Sequence, residues 1–176
     1  MKLNIGCGTT KYPGFVNIDS ESSLDPDVVH DLKGRALPYA EGEVDEIWFI
    51  HCIEHIQEQY HFPILLDFHR VLKPEGKLII AYPEFIRCAS AYMENRRGMR
   101  DFWKATIYGR QCYPGDYHVS LMDTRDFSKL LERVGFLDIT YNSEPVPNEI
   151  NTILSCVKGH KMLTKEDLLR KEIFGK

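Results

Sequence analysis

The chain has little of what marks the specialised protein classes. Its five cysteines (Cys7, Cys52, Cys88, Cys112 and Cys156) are scattered, odd in number and never in CxxC spacing. That argues against a disulfide framework or a zinc knuckle and suits a reducing compartment. No apolar run approaches bilayer length, and Met1 leads straight into a strand-like segment with no basic and then apolar leader. The expectation is a cytoplasmic protein with no membrane partner. Positive charge is not in excess: 22 Lys and Arg stand against 26 Asp and Glu, a net charge of −4. A duplex nucleic-acid partner, which needs a concentrated positive face, is therefore not expected. Repeats and low-complexity segments are lacking too. What remains is an ordinary globular composition, 43% hydrophobic and 27% charged over 176 residues, enough for one domain with a sizeable core.

Along the chain, short apolar runs alternate with helical patterns. Residues 2–5 read as a strand that breaks at Gly6-Cys7-Gly8. Residues 15–18 and 27–30 read as further strands, ending near Asp19 and Asp31-Leu32. Residues 44–50, rich in β-branched and aromatic side chains, are the expected central strand. Apolar spacing predicts a helix over residues 58–72, with Pro63 tolerable only near its start. Lys73-Pro74-Glu75-Gly76 should stop that helix and turn into a strand at 77–81. Residues 83–121 form a mixed insert of two helices and an aromatic Gly/Pro loop around His118. A capped helix at 124–134 follows, then strands at 136–141 and 152–158 suited to an antiparallel hairpin. A tail helix at 164–174 opens with a capping box of Thr164 and Asp167.

The fold class this implies is α/β, a mainly parallel sheet with an antiparallel C-terminal hairpin. In such sheets ligands bind beyond the carboxyl ends of the strands. Gly6, Asp19, Asp31, His51 and Pro83 all fall at those ends.

Several motifs then stand in order: Leu3-Asn4-Ile5-Gly6-Cys7-Gly8, Asn17-Ile18-Asp19, His30-Asp31-Leu32, Ile50-His51-Cys52-Ile53-Glu54-His55 and Arg70-Val71-Leu72-Lys73-Pro74-Glu75-Gly76. Together they resemble class I S-adenosylmethionine-dependent methyltransferases, above all the small type-11-like branch, over about residues 2–83. The resemblance implies a Rossmann-like fold and S-adenosylmethionine as cofactor. Asn4, Gly6, Cys7, Gly8, Asp19, Asp31, Leu32, Ile50 and His51 are then the cofactor-binding residues. Gly6 and Gly8 would let backbone approach the methionine portion at positive φ. Asp19 would accept from the ribose hydroxyls. Asp31 would either meet the adenine amino group, with Leu32 packing on the ring, or merely cap a turn.

Two departures from the family matter. Asn4 stands where an acidic residue is common, which loses a charge-assisted contact but keeps an acceptor. The link between the first two strands is short for a crossover helix, so helices after strands 1 and 2 should be reduced. A sheet face left under-covered suggests a homodimer. His51-x-x-Glu54-His55 also matches an inverted zinc-protease pattern, but that pattern needs both histidines on one helix. No metal site is therefore expected.

Histidine suits the role of general base near neutral pH. His118, in the insert where class I enzymes place substrate, is the first candidate catalytic residue and His51 the second. The aromatics Tyr82, Phe85, Tyr92, Trp103, Tyr108, Tyr113 and Tyr117 could line an acceptor pocket but more simply pack the insert. The basic run from Arg96 to Arg110 would suit an anionic acceptor, or form a solvated helix face. Three functions follow: methyl transfer to a small polar, hydroxyl-bearing, sugar-like or anionic acceptor; transfer to a protein or nucleic acid; or a reduced fold serving as a binding or regulatory subunit.

Overall fold

The computed structural model describes residues 1–113, 115–141 and 151–159, and the helix expected at 164–174 lies outside the described residues. The described strands are β1 (Lys2–Ile5), β2 (Phe15–Asp19), β3 (Val28–Val29), β4 (Val44–Ile50), β5 (Leu72–Pro83), β6 (Phe136–Tyr141) and β7 (Asn151–Lys158). They form one sheet in the order β3-β2-β1-β4-β5-β7-β6. The first five are mutually parallel. β7 runs antiparallel to both β5 and β6 and is slotted between them, so the C-terminal hairpin is present and its second strand is internal.

The α-helices among the described residues are α1 (His61–Val71), α2 (Phe85–Met93), α3 (Arg100–Tyr108) and α4 (Thr124–Val134). In α1, Ile64, Leu65, Phe68 and Val71 recur at helical spacing and are buried, while Pro63 sits in the first turn, where its missing N–H costs nothing. In α4, the Asp123 carboxylate accepts from the N–H groups of Arg125 and Asp126, and Gly135 closes the helix at φ 110°. Both ends thus satisfy their otherwise orphaned backbone groups. These two helices share a core with alternate residues of the sheet: Leu3 and Ile5, Ile47 and Phe49, Leu78 and Ile80, Leu154 and Cys156. The two-residue period of the strands selects that face.

Between β1 and β4 the only helical segment is a short 3-10 turn at Ser22–Leu24. The helices after strands 1 and 2 are reduced, as expected, and none follows strand 3 either. Side chains do part of the missing work. The Arg70 guanidinium donates to the carbonyls of Leu37 and Tyr39 and to Asp67, and Asp67 accepts from the Leu37 N–H. This fork binds the β3–β4 connection to α1 at fixed geometry.

Three boundaries differ from the sequence reading. Residues 27–30 yield a strand of only two residues, Val28–Val29. The helix expected over 58–72 divides into a 3-10 turn, Glu58–Tyr60, and α1. The strand expected at 77–81 begins at Leu72. The reason is a bulge: Leu72 faces Val44 and Lys77 faces Glu46, so residues 73–76 all lie opposite the single residue Asp45. Gly76 fits there because a Cβ would come within 2.8 Å of the Lys73 carbonyl oxygen.

Candidate functional site

The break after β1 is built around two glycines at positive φ, Gly6 (67°) and Gly8 (52°). A side chain on Gly6 would strike Cys52, its Cβ lying 2.4 Å from the sulfur, so the turn can approach the end of β4 only as glycine. The Cys7 N–H continues the ladder to the Ile18 carbonyl, and the Thr10 N–H closes the turn on Cys7. The Gly8 N–H donates to Asp19 Oδ2 at 2.8 Å, and Glu21 N–H donates to Oδ1 at 3.0 Å. The glycine turn and the Asp19 carboxylate thus meet at one rim.

Asn4 is buried, and its amide donates to the Thr10 carbonyl and to Asn17 Oδ1, each at 2.9 Å. One amide hydrogen therefore serves the β1–β2 loop and the other β2, which leaves the carbonyl oxygen as its acceptor. Asp31 Oδ1 accepts from the Lys33 N–H at 3.0 Å, the turn-capping role. Leu32 is half-buried against the main core. It also lines a groove of about 990 Å³ that lies against α1 with Arg35, Leu66, Arg70 and Gly159, and includes neither Gly6 nor Asp19. Ile50, half-buried, ends β4 opposite Ala81.

His51 follows at φ 51°. The Asn151 side-chain nitrogen, which can only donate, lies 3.0 Å from His51 Nε2. Nε2 is therefore the acceptor and Nδ1 carries the hydrogen, which it donates to Glu54 Oε1 at 3.2 Å. His51 and His55 do not share a helix: the first ends β4 and the second lies in the 3-10 turn Ile53–His55. The zinc-protease geometry is not built.

The insert docks on this rim. The Glu54 carbonyl accepts from the N–H groups of Val119 (2.9 Å) and Ser120 (3.3 Å). His118 is thereby brought beside Glu54 and His55, its ring 4.9 Å from that of His55, centre to centre. Burial holds the pKa of His118 below the ordinary histidine value. Most of the insert's aromatics have other work. Trp103 packs with Cys88 and Ala91 in a second small core, and Tyr82 is fully buried under Phe127 with its hydroxyl on Thr124. Tyr108, Tyr113 and Tyr117 are exposed. Arg96 pairs with Glu94, and Arg100 lies over the Tyr92 ring. Burial pushes the Cys52, Cys156 and Cys88 thiols up, the last to about 12, so these thiols stay protonated and are not nucleophiles.

Sequence reasoning did not single out Asn151, a hundred residues from His51, or Cys52, for neither of which a local signal exists. It met Glu54 only within the motif beside a strand end and the zinc-protease pattern.

A family model described as a methyltransferase domain, type 11, matches residues 15–80. No curated protein matches the chain. Among solved structures, a methyltransferase from Methanosarcina mazei shares 15% identity at a TM-score of 0.64, covering 91% of this chain and 92% of that one. A methyltransferase from Archaeoglobus fulgidus shares 14% identity at 0.60, covering 89% and 85%. A "possible exported protein" from Bordetella parapertussis shares 14% identity at 0.64, covering 90% of this chain, which spans only 61% of that longer one. The fold is that of class I S-adenosylmethionine-dependent methyltransferases. Residues 15–80 match the type-11 branch of that class, and the cofactor of the class is S-adenosylmethionine. Among the described residues no helix is long and apolar enough to cross a membrane.

Proposed function

We propose that the chain transfers the methyl group of S-adenosylmethionine to the hydroxyl of a small polar acceptor. The observation that carries this reading is the rim itself: the Gly6–Gly8 turn tied to Asp19, one strand away from His51 held on Glu54. Asp19 has used one lone pair on each oxygen for backbone N–H groups and keeps the others for ribose hydroxyls. The turn would hold the methionine portion, and the Asp31 oxygen not used in capping would meet the adenine, whereas Leu32 is turned to the core and the α1 groove. Transfer is a direct displacement, in which the acceptor oxygen bonds the methyl carbon as the carbon–sulfur bond breaks. Alignment alone lowers such barriers by on the order of 7–11 kcal/mol. Of the two histidines expected as base, the geometry favours His51. Its Nδ1–H is fixed by a buried carboxylate, and Nε2 has only to release Asn151 to take the acceptor's proton. His118 lies across Glu54 on the insert side, towards an acceptor of the sugar-like or anionic kind.

Calorimetry with S-adenosylmethionine and S-adenosylhomocysteine tests the first half. Binding should be lost by at least about tenfold in Asp19→Ala, since hydrogen bonds to a charged acceptor contribute roughly 1.5–3 kcal/mol. A panel of hydroxylated acceptors tests the second, with His51→Gln slowing turnover about a hundredfold or more while cofactor affinity stays. A binding or regulatory subunit is the second reading, supported by Asn4 standing where an acidic residue is common and by the reduced helices after strands 1 and 2. Cofactor binding without turnover over the whole panel, proteins and nucleic acids included, would select that reading. No cofactor binding would reject both.

A further inference from the structure

The buried charge that the cofactor rim leaves unexplained is the Glu54 carboxylate. Glu54 is 2% exposed. Its Oε1 accepts from His51, but Oε2 has no hydrogen-bond partner. A bare carboxylate oxygen in the interior is costly, and such groups are ordinarily paired or bound to a cation. Two imidazoles share its surroundings. His55 comes from the same 3-10 turn and His118 from the insert, and the ligating atoms of Glu54, His55 and His118 all lie within 4.8 Å of one another.

The His55 ring is held from behind. His55 Nδ1 lies 3.0 Å from the Tyr117 carbonyl, which can only accept. Nδ1 therefore carries the hydrogen, and Nε2 presents a lone pair. The insert sets the His118 ring beside it, 4.9 Å from that of His55, centre to centre. Imidazoles anchored through one nitrogen by a carbonyl are the usual supporting arrangement of metal-binding histidines. The two N–H bonds from Val119 and Ser120 to the Glu54 carbonyl keep His118 at this distance. A void of about 10 Å³ beside Glu54 and His118, which His55 does not line, is the room of one water-sized occupant next to the cluster.

We propose that Glu54, His55 and His118 bind one divalent cation of the first transition row. Two imidazoles with one carboxylate match manganese, iron, cobalt, nickel or zinc, whereas magnesium and calcium favour all-oxygen sites. His51, which the zinc-protease pattern would have enlisted, holds the far oxygen of Glu54 instead. The site goes beyond the methyl-transfer reading and does not depend on it, because cation binding is read with neither cofactor nor acceptor present.

The test uses the full chain stripped with a chelator and titrated with Co²⁺, Mn²⁺ or Zn²⁺ by calorimetry, with visible absorption following Co²⁺. One ion per chain should bind with at least micromolar affinity. His55→Ala and His118→Ala should each weaken it by at least about tenfold, as even the loss of supporting partners costs 10- to 100-fold. In melting experiments the ion should raise the midpoint of the parent chain and not of the two variants, which keeps the test decisive if one variant is itself less stable. No ion binding below millimolar concentration would overturn the proposal. So would affinity in both histidine variants equal to that of the parent chain, or binding abolished by Cys112→Ser at the exposed thiol.

Discussion

Replacing Gly6 by alanine should damage the protein for two separable reasons, and the structure says how much belongs to each. The residue sits at φ 67°, where an alanine pays about 1 kcal/mol for its Cβ against the following carbonyl. The new Cβ would also lie 2.4 Å from Cys52 Sγ and 2.7 Å from Cys52 Cβ, an overlap of the kind that costs roughly 1–3 kcal/mol. The total is about 3 kcal/mol, or about 6–12 °C of melting temperature for a chain of this size. A double-mutant cycle with Cys52→Gly separates the two parts, because that change removes both offending atoms. In the Cys52→Gly background the alanine should cost only the backbone share, about 1 kcal/mol, for a coupling of about 2 kcal/mol. Thermal and urea melts of the four proteins give the numbers. An equal cost of Gly6→Ala in both backgrounds would show that the turn and the end of β4 are not in contact.

Other outcomes follow from the same structure. Burial lowers the pKa of His69 from 6.5 to about 4, so the unfolded chain takes up its proton first. The stability this contributes is complete above about pH 6.5 and lost as pH falls towards 4, up to about 3 kcal/mol. Urea melts across that window should be flatter by that amount in His69→Leu, and an unchanged slope would refute the assignment. Asp123→Ala removes the N-cap of α4 and should cost about 1 kcal/mol, with cofactor affinity unchanged; a silent melt would contradict the cap. Arg70→Lys keeps the charge but loses the fork to Leu37, Tyr39 and Asp67, and should speed amide exchange at Leu37 without altering the β1–β2 turn. The edge strand β6 presents the exposed Leu137 beside Val157. If the chain pairs through it, light scattering should read a dimer that Leu137→Asp converts to a monomer, whereas a monomer at the outset removes that reading.

The parts of the fold that local chemistry determines were legible from the sequence. α4 announces itself through Asp123 and Gly135, and the glycines at 6 and 8 mark the break after β1. The long apolar run at 44–50 is a strand in any context. The β5 bulge was not legible, because Lys73-Pro74-Glu75-Gly76 has turn chemistry, and only pairing with β4 makes it part of a strand. The rim residues were found because carboxyl ends of strands can be read from strand boundaries. The neighbours of Glu54 could not be, since His118 lies 64 residues away and its approach depends on two backbone bonds to one carbonyl. Nor does any local signal say that a glutamate in a short polar turn will be sealed from water.

The tie between the Glu54 carbonyl and residues 119–120 has a mechanical consequence. The insert is moored over the strand ends by the same turn that bears His55, through Glu54, three residues beyond His51. Any ligand large enough to lift the insert must unfasten those bonds or drag the turn outward, and either motion alters the surroundings of His51. Under the proposed methyl transfer, bulk in the acceptor would then be registered where the proton moves, so that size would be sorted by rate rather than by affinity.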